Sequence, residues 1–314
     1  MRDKKFAVFG AGGIGGYFAG VLTQVGYEVA LIARGRNLEA IRRDGLRVEG
    51  PKDSFTVKLA QVTDRPEEVG RVDAIIVAVK TWQVSEAARA MRPMLSVDTK
   101  VLPLQNGIEA PDQLQRILGP SHVLVGLCRI ISEAVGPGHI RHAGVKPMVA
   151  LGELGNVPLS PNAKALADAL RAAGTTAETP PDIEAALWEK LVFIAGVSGV
   201  GAVSRATLGE IRECDPTRQL LREMFEEVAG VARRRGIHVA ADLVARTLAF
   251  VDTLPAGGTA SMQRDIADGK PSELEAIIGV VVRMGRELGI ATPITNYIYA
   301  SLLPQEQRAR AARK

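Results

Sequence analysis

The stretch FAVFGAGGIGGYFAG, Phe6–Gly20, places an apolar run, a glycine cluster and a second apolar run side by side. Within it Gly10, Gly12 and Gly15 form G-x-G-x-x-G between a strand-like segment and a helical one, the context that gives this common spacing meaning. Gly10 permits a tight turn, Gly12 lets the backbone approach a pyrophosphate, and Gly15 lets the following helix pack closely on a sheet. The N–H groups at the helix start, around Gly13 and Ile14, lie at the positive end of the helix dipole and supply an anion site. With 32 glycines in the chain the spacing can arise as a plain strand–helix turn, and the flanking pattern weighs against that.

Working outward, the first half alternates short apolar runs with helical patterns. Lys5–Gly10, Tyr27–Ala33, Asp73–Val79, Lys100–Gln105 and His122–Leu127 read as strands buried on both faces of a parallel sheet. Between them 14–25, 37–44, 83–91 and 110–118 read as helices, and 162–173 as a further one. Strand then helix, repeated, predicts an α/β fold with an open doubly wound sheet and ligands at the carboxyl ends of its strands. Cys128–Leu154, punctuated by GPG, reads as antiparallel strands appended to that sheet. Around TPPD, Thr179–Asp182, the pattern changes: two prolines break the chain, Asp182 is suited to cap a helix, and nearly everything after it has helical periodicity. The expected organisation is a dinucleotide-binding domain over 1–180 and an all-helical domain over 181–314. Helices are predicted over 217–235, 241–253, 272–288 and 294–300, and the basic tail Arg308–Lys314 reads as a frayed end.

Composition limits the function classes. Hydrophobic residues make up 46% of the 314 and charged residues 24%, as in ordinary globular proteins. The chain reads without an apolar run of the roughly 18 residues that a membrane span needs, so a cytoplasmic protein is expected. Two distant cysteines, Cys128 and Cys214, offer neither a disulfide framework nor a zinc site. His139 and His142 form H-x-x-H in a predicted strand, where residues three apart face opposite sides, so no metal is expected there. Cys128 reads as a small core residue. The net charge of +4 comes without a nucleic-acid motif, leaving a small anionic molecule as the expected partner.

The second strand's end chooses the cofactor. An NAD enzyme usually offers Asp or Glu there, whereas this chain reads LIARGRN, with Arg34 and Arg36. A guanidinium matches a 2′-phosphate, which favours NADP(H) and Arg34 as its contact. Two later loops, VAVKTWQ with Lys80 and Gln83, and LQNGIE with Asn106, follow parallel strands and are expected to contact the dinucleotide or its substrate. Lys190 sits in LWEKLVF on a largely apolar helix. Burial disfavours the charged ammonium, so such a lysine can donate a proton near neutral pH; a snorkelling lysine is the alternative.

GAGGIG, VKTWQ, LQNGI, WEKL, SMQRDI and GKPSELEAIIG, in this order and spacing, resemble the ketopantoate reductase family (2-dehydropantoate 2-reductases) over nearly the whole chain. The resemblance implies a Rossmann domain followed by a helical domain, and NADPH-dependent reduction of a 2-oxo acid to a 2-hydroxy acid. It further implies Lys190 as general acid, Glu273 as its acidic partner, Ser261 and Asn106 as substrate contacts, and Lys80 beside the cofactor. Taken singly, Ser261 and Glu273 also suit helix-capping roles. Four and eight residues after its lysine the family usually carries asparagines; this chain has Ile194 and Ser198. An isoleucine cannot hydrogen-bond a substrate hydroxyl, so a more apolar 2-oxo acid than ketopantoate is expected. A non-catalytic NADPH-binding sensor and an NADP-linked dehydrogenase of another two-domain family are the competing readings. The apolar run Ile277–Gly285 suits either burial in the helical domain or a homodimer contact.

Overall fold

The computed structural model describes residues 3–51 and 53–312, which divide into two compact units. One comprises the described residues up to Gln105 together with Ala110–Ile183, the other Asn106–Glu109 together with the described residues from Glu184 onward.

The first unit begins β1 (Lys5–Phe9), α1 (Gly13–Gln24), β2 (Glu28–Ile32), α2 (Gly35–Asp44), β3 (Leu46–Glu49), β4 (Ser54–Val57), β5 (Gln61–Thr63) and β6 (Ala74–Val77). It continues with α3 (Val84–Met91), β7 (Lys100–Pro103), α4 (Ala110–Leu118), β8 (Leu124–Arg129), β9 (Ser132–Gly136), β10 (His139–His142), β11 (Met148–Glu153), α5 (Pro161–Ala172) and β12 (Thr176–Glu178). Five strands form an all-parallel sheet in the order β5-β2-β1-β6-β7. Alternate residues of β1 feed different cores: Phe6 and Val8 pack with Phe18, Leu22 and Leu31, while Ala7 and Phe9 pack with Ile75, Val84 and Met91. Both faces are therefore covered, as its continuous apolar strands require. The chain runs one way from β1 through β2 to β5 and the other way through β6 to β7, so the strand order reverses between β1 and β6, where ligands bind in such sheets.

The antiparallel strands are not appended to this sheet as expected. β9 and β10 join β3 and β4 in a separate four-stranded sheet, β4-β3-β10-β9, and β8 pairs with β11 in a three-stranded sheet, β12-β11-β8. β8 approaches the parallel sheet through a single bridge, Val101 to Val123, instead of being its sixth strand. The four-stranded sheet lies against α1, whose glycines make the approach close. A Cβ on Gly16 would stand 2.7 Å from the Ile140 side chain, and one on Gly20 2.5 Å from Val48.

The second unit contains α6 (Ile183–Ser204), which begins at the unit boundary, α7 (Leu208–Glu213), α8 (Asp215–Arg234), α9 (Leu243–Thr253), α10 (Ser261–Ala267), α11 (Val280–Leu288) and α12 (Pro293–Ala311). Contrary to the sequence expectation, α6 is long and apolar enough to cross a membrane by length and composition; 72% of its most apolar window is buried within the protein, as in a core helix. Gly196 and Gly199 let α6 pack onto Phe225 and Met224 of α8. The predicted helix over 272–288 opens instead with a π turn, Glu275–Gly279, leading into α11. Its run Ile277–Val282 is buried within the chain, which removes the sequence argument for a subunit contact there. Arg308–Ala311 belong to the last turns of α12, not to a frayed tail; the final two residues lie outside the described ones.

Candidate active site

The glycine turn follows β1 at the reversal of strand order. Gly10 has φ +104°, and a Cβ there would lie 2.9 Å from Ala78 O, so both backbone conformation and space demand glycine. A Cβ on Gly15 would overlap Gly10 O and approach Ala78 Cβ, the close helix-to-sheet contact expected from the motif. Gly12 differs: its φ is −80° and a Cβ placed there would have nothing within 4 Å, so the fold itself does not exclude a side chain. Gly12 is the N-cap of α1, Gly13 opens the helix, and no acidic residue occupies its first turn. Ser132 Oγ donates to Gly13 O at 2.9 Å, bringing β9 beside this turn.

Arg34 caps α2 from an exposed position and donates to Glu86 Oε1 at 2.8 Å. Arg36 is exposed within α2. Lys80 and Gln83 bracket a short 3-10 turn: Gln83 N donates to Lys80 O at 2.8 Å, and Gln83 Oε1 accepts from Lys80 N at 3.3 Å. The Lys80 ammonium stands 5.9 Å from the Trp82 ring centre. Gln105, not among the residues expected from sequence, is 6% exposed and donates both amide hydrogens, to Val77 O and Val79 O, at 2.9 Å each. Its Oε1 is a buried acceptor without a partner among the described residues. The sequence signal was a polar residue closing an apolar strand, immediately before Asn106. An open Gly12, a helix start free of acid, a guanidinium after β2 and an unsatisfied amide oxygen after β7 all suit a bound dinucleotide.

The helical unit gathers a second set. Lys190 on α6 is 6% exposed, and one and two turns further along the same helix stand half-buried Ile194 and buried Ser198. Asn106 belongs with this unit, and its Nδ2 donates to Glu273 Oε2 at 3.0 Å. Gly107, at φ +90°, presses its backbone against Ala276, where a Cβ would lie 2.5 Å from the carbonyl oxygen. Ser261 is exposed at the first position of α10, behind the N-cap Ala260, so it does not cap that helix. The capping-like role falls to Ser272, whose hydroxyl donates to buried Glu306 at 2.6 Å and accepts from Leu274 N at 3.2 Å; Glu273 keeps its carboxylate for Asn106.

The remaining candidates are absorbed locally. His139 bonds Glu49 at 2.9 Å, while His142 reaches Val145 O at 2.8 Å and packs against the Tyr17 ring at a tilt of 47°. Among the described residues no cluster of three potential metal ligands occurs. Cys128 is buried in the core, its thiol directed to Leu104 O at 3.6 Å, and Cys214 is exposed.

Comparison with known proteins identifies the family. The family model "Ketopantoate reductase PanE/ApbA" matches residues 6–156, and "Ketopantoate reductase PanE/ApbA C terminal" matches residues 182–306. A 2-dehydropantoate 2-reductase of Archaeoglobus fulgidus is 31% identical over 291 residues, covering 92% of this chain and 94% of its own. The crystal structure of a PanE/ApbA family ketopantoate reductase from Ralstonia eutropha has a TM-score of 0.88 at 31% identity, covering 98% of this chain and 99% of that one. D-mandelate dehydrogenase, solved in a ternary complex with NADH and anilino(oxo)acetate, has a TM-score of 0.86 at 25% identity, covering 98% of this chain and 99% of that one. These matches span both units, which excludes a different two-domain dehydrogenase family. The chain belongs to the ketopantoate reductase family of NADP-dependent oxidoreductases.

Proposed function

We propose that this protein reduces a 2-oxo acid with an apolar side chain to the 2-hydroxy acid, using NADPH as hydride donor and Lys190 as general acid. The observation that carries the reading is a nearly buried lysine on an apolar helix with Ile194, not an amide, one turn beyond it. An ammonium in such surroundings is retained for chemistry more readily than for packing.

NADPH held at the glycine turn would supply the hydride for the substrate's carbonyl carbon. Gly12 leaves room for its pyrophosphate and the first N–H groups of α1 bind it. Arg34 would hold the 2′-phosphate. Its present partner, Glu86, is an exposed ion pair worth about 0–1 kcal/mol, less than the roughly 1.5–3 kcal/mol of a hydrogen bond to a charged group, so the guanidinium is free to exchange partners. Lys80 and Gln83, on the loop after β6, would flank the cofactor.

As the carbonyl carbon accepts hydride, its oxygen gains the electron pair of the C=O π bond, and Lys190 Nζ gives that oxygen a proton. The product is a neutral hydroxyl and a neutral amine, which solvent reprotonates; no free alkoxide forms. Glu273, with its carboxylate held by Asn106, keeps negative charge near the lysine. Asn106, Ser261 and Ser198 provide polar contacts to the carboxylate and carbonyl, positioning them for transfer. Ile194 offers methyl groups where a hydroxylated substrate needs a hydrogen bond, which disfavours ketopantoate itself. The oxo acid bound by D-mandelate dehydrogenase carries an anilino group, so an apolar substituent is compatible with a relative of the same fold.

The test is NADPH oxidation with a panel of 2-oxo acids. Branched and aromatic 2-oxo acids are expected to exceed ketopantoate in kcat/KM by about tenfold or more, the range of one mismatched pocket contact. Ketopantoate ahead of every apolar acid removes the substrate assignment; no turnover with any 2-oxo acid, despite NADPH binding, favours the sensor reading.

A further inference from the structure

We infer that Arg283 is a positioning residue for the reaction: it fastens the Asn106–Glu109 segment to the helical unit and so sets the Asn106 amide against Glu273. The inference rests on the proposed role of Asn106 as a substrate or cofactor contact.

The segment is held at three points. Asn106 Nδ2 donates to Glu273 Oε2 at 3.0 Å. Gly107 lies so close to Ala276 that only glycine fits. At the far end Arg283 Nη2 donates to both oxygens of Glu109, at 3.2 and 3.0 Å, while its Nη1 donates to Glu275 Oε2 at 2.8 Å. Tyr299 completes the cluster by donating to Glu275 Oε1 at 2.6 Å, which holds that carboxylate in place.

The local helix geometry builds this clamp. In an uninterrupted α-helix, residues eight apart point about 80° away from one another. The π turn Glu275–Gly279 adds one residue to a turn, which brings Glu275 and Arg283 close to the seven-residue relation, about 20° apart. Gly279 clears the space: a Cβ there would lie 2.6 Å from Glu275 Oε2 and 3.1 Å from Arg283 Nη1. One guanidinium thus bridges a carboxylate of its own helix to one on the segment carrying Asn106.

These ion pairs are partly exposed, with side-chain accessibilities of 42% for Arg283, 33% for Glu109 and 44% for Glu275. Exposed pairs contribute little to folding. Their effect is on placement, where a displacement of about 1 Å can cost 100-fold in rate.

A double-mutant cycle tests this. Arg283→Gln is expected to lower kcat/KM for the best 2-oxo acid about tenfold, with an unchanged melting temperature. In an Asn106→Ala background the same change should have less than about a twofold effect, because the group that Arg283 positions is gone. Arg283→Lys, which keeps charge but cannot bridge two carboxylates as a planar fork does, should recover part of the loss. Glu109→Gln opens the clamp from the segment's side and should reproduce the Arg283→Gln loss, which keeps the test decisive should Arg283→Gln fold poorly. Full activity in Arg283→Gln and Glu109→Gln, or equal losses with and without Asn106, overturns the inference alone. Wild-type kcat/KM in Asn106→Ala by itself overturns the underlying role of Asn106 and the inference with it.

Discussion

The glycine turn separates demands of the fold from demands of the ligand, and substitution by alanine exposes the difference. At Gly15 a methyl group overlaps Gly10 O and meets Ala78 Cβ at 3.1 Å, so Gly15→Ala overpacks a helix–sheet contact and should destabilise by about 1–3 kcal/mol or more. At Gly12 the backbone already has φ −80° and ψ −173°, which alanine adopts without strain, and the added methyl meets nothing. Removing glycine's freedom in the unfolded chain favours the variant by about 0.4–1 kcal/mol. Alanine is a poorer N-cap than glycine, which offsets a similar amount. Gly12→Ala should therefore unfold in urea within about 1 kcal/mol of wild type. The same methyl group projects where a pyrophosphate must approach the backbone. NADPH titration followed by nicotinamide fluorescence should show Kd raised about tenfold or more, equivalent to about 1.4 kcal/mol. Unchanged NADPH affinity in Gly12→Ala, or a stability loss matching that of Gly15→Ala, refutes the reasoning.

Arg34→Ala should weaken NADPH while leaving NADH within about twofold, a loss of about tenfold or more for one charge-assisted contact; equal losses for both cofactors place Arg34 elsewhere. Ile194→Asn should move the ratio of kcat/KM values toward ketopantoate by about tenfold or more, and an unmoved ratio excludes this position from the substrate pocket. A structural prediction concerns the buried pair Lys100–Glu153, bonded at 2.9 Å. Burial pushes the Glu153 carboxyl up, but hydrogen bonds from Ser160 and Lys100 outweigh it and hold the pKa below the ordinary 4.5. A depressed carboxylate stabilises the fold above its unfolded pKa, and that contribution is lost as pH falls through the folded value. Glu153→Gln should cost about 3 kcal/mol in urea unfolding at pH 7, and its deficit relative to wild type should shrink below pH 4.5; a constant deficit contradicts this.

The parallel sheet was legible because β1, β2, β6 and β7 are buried on both faces, so each reads as a continuous apolar run. β3 (LRVE) alternates buried positions with charged, more exposed ones, and β4 (SFTV) alternates exposed and half-buried ones, each over only four residues, too short to stand out. The grouping of β9 and β10 with them is set by packing on Gly16 and Gly20 of α1, which neither segment encodes alone. Lys190 was legible as a lysine on an apolar helix, where the structure buries it. Gln105 was not, since its significance lies in bonds to the end of β6, 26 and 28 residues earlier. The π turn, and with it the Arg283 clamp, carries no local signature, because its geometry is fixed by partners as distant as Glu109 and Tyr299.

The central claim is that Lys190 supplies the proton that completes reduction. Its most direct test is kcat of Lys190→Ala with NADPH and the best 2-oxo acid, measured alongside NADPH affinity. A fall of about 100- to 10,000-fold in kcat, the range for loss of a general acid, with NADPH Kd within about twofold of wild type, is the predicted result. A kcat within about threefold of wild type contradicts it.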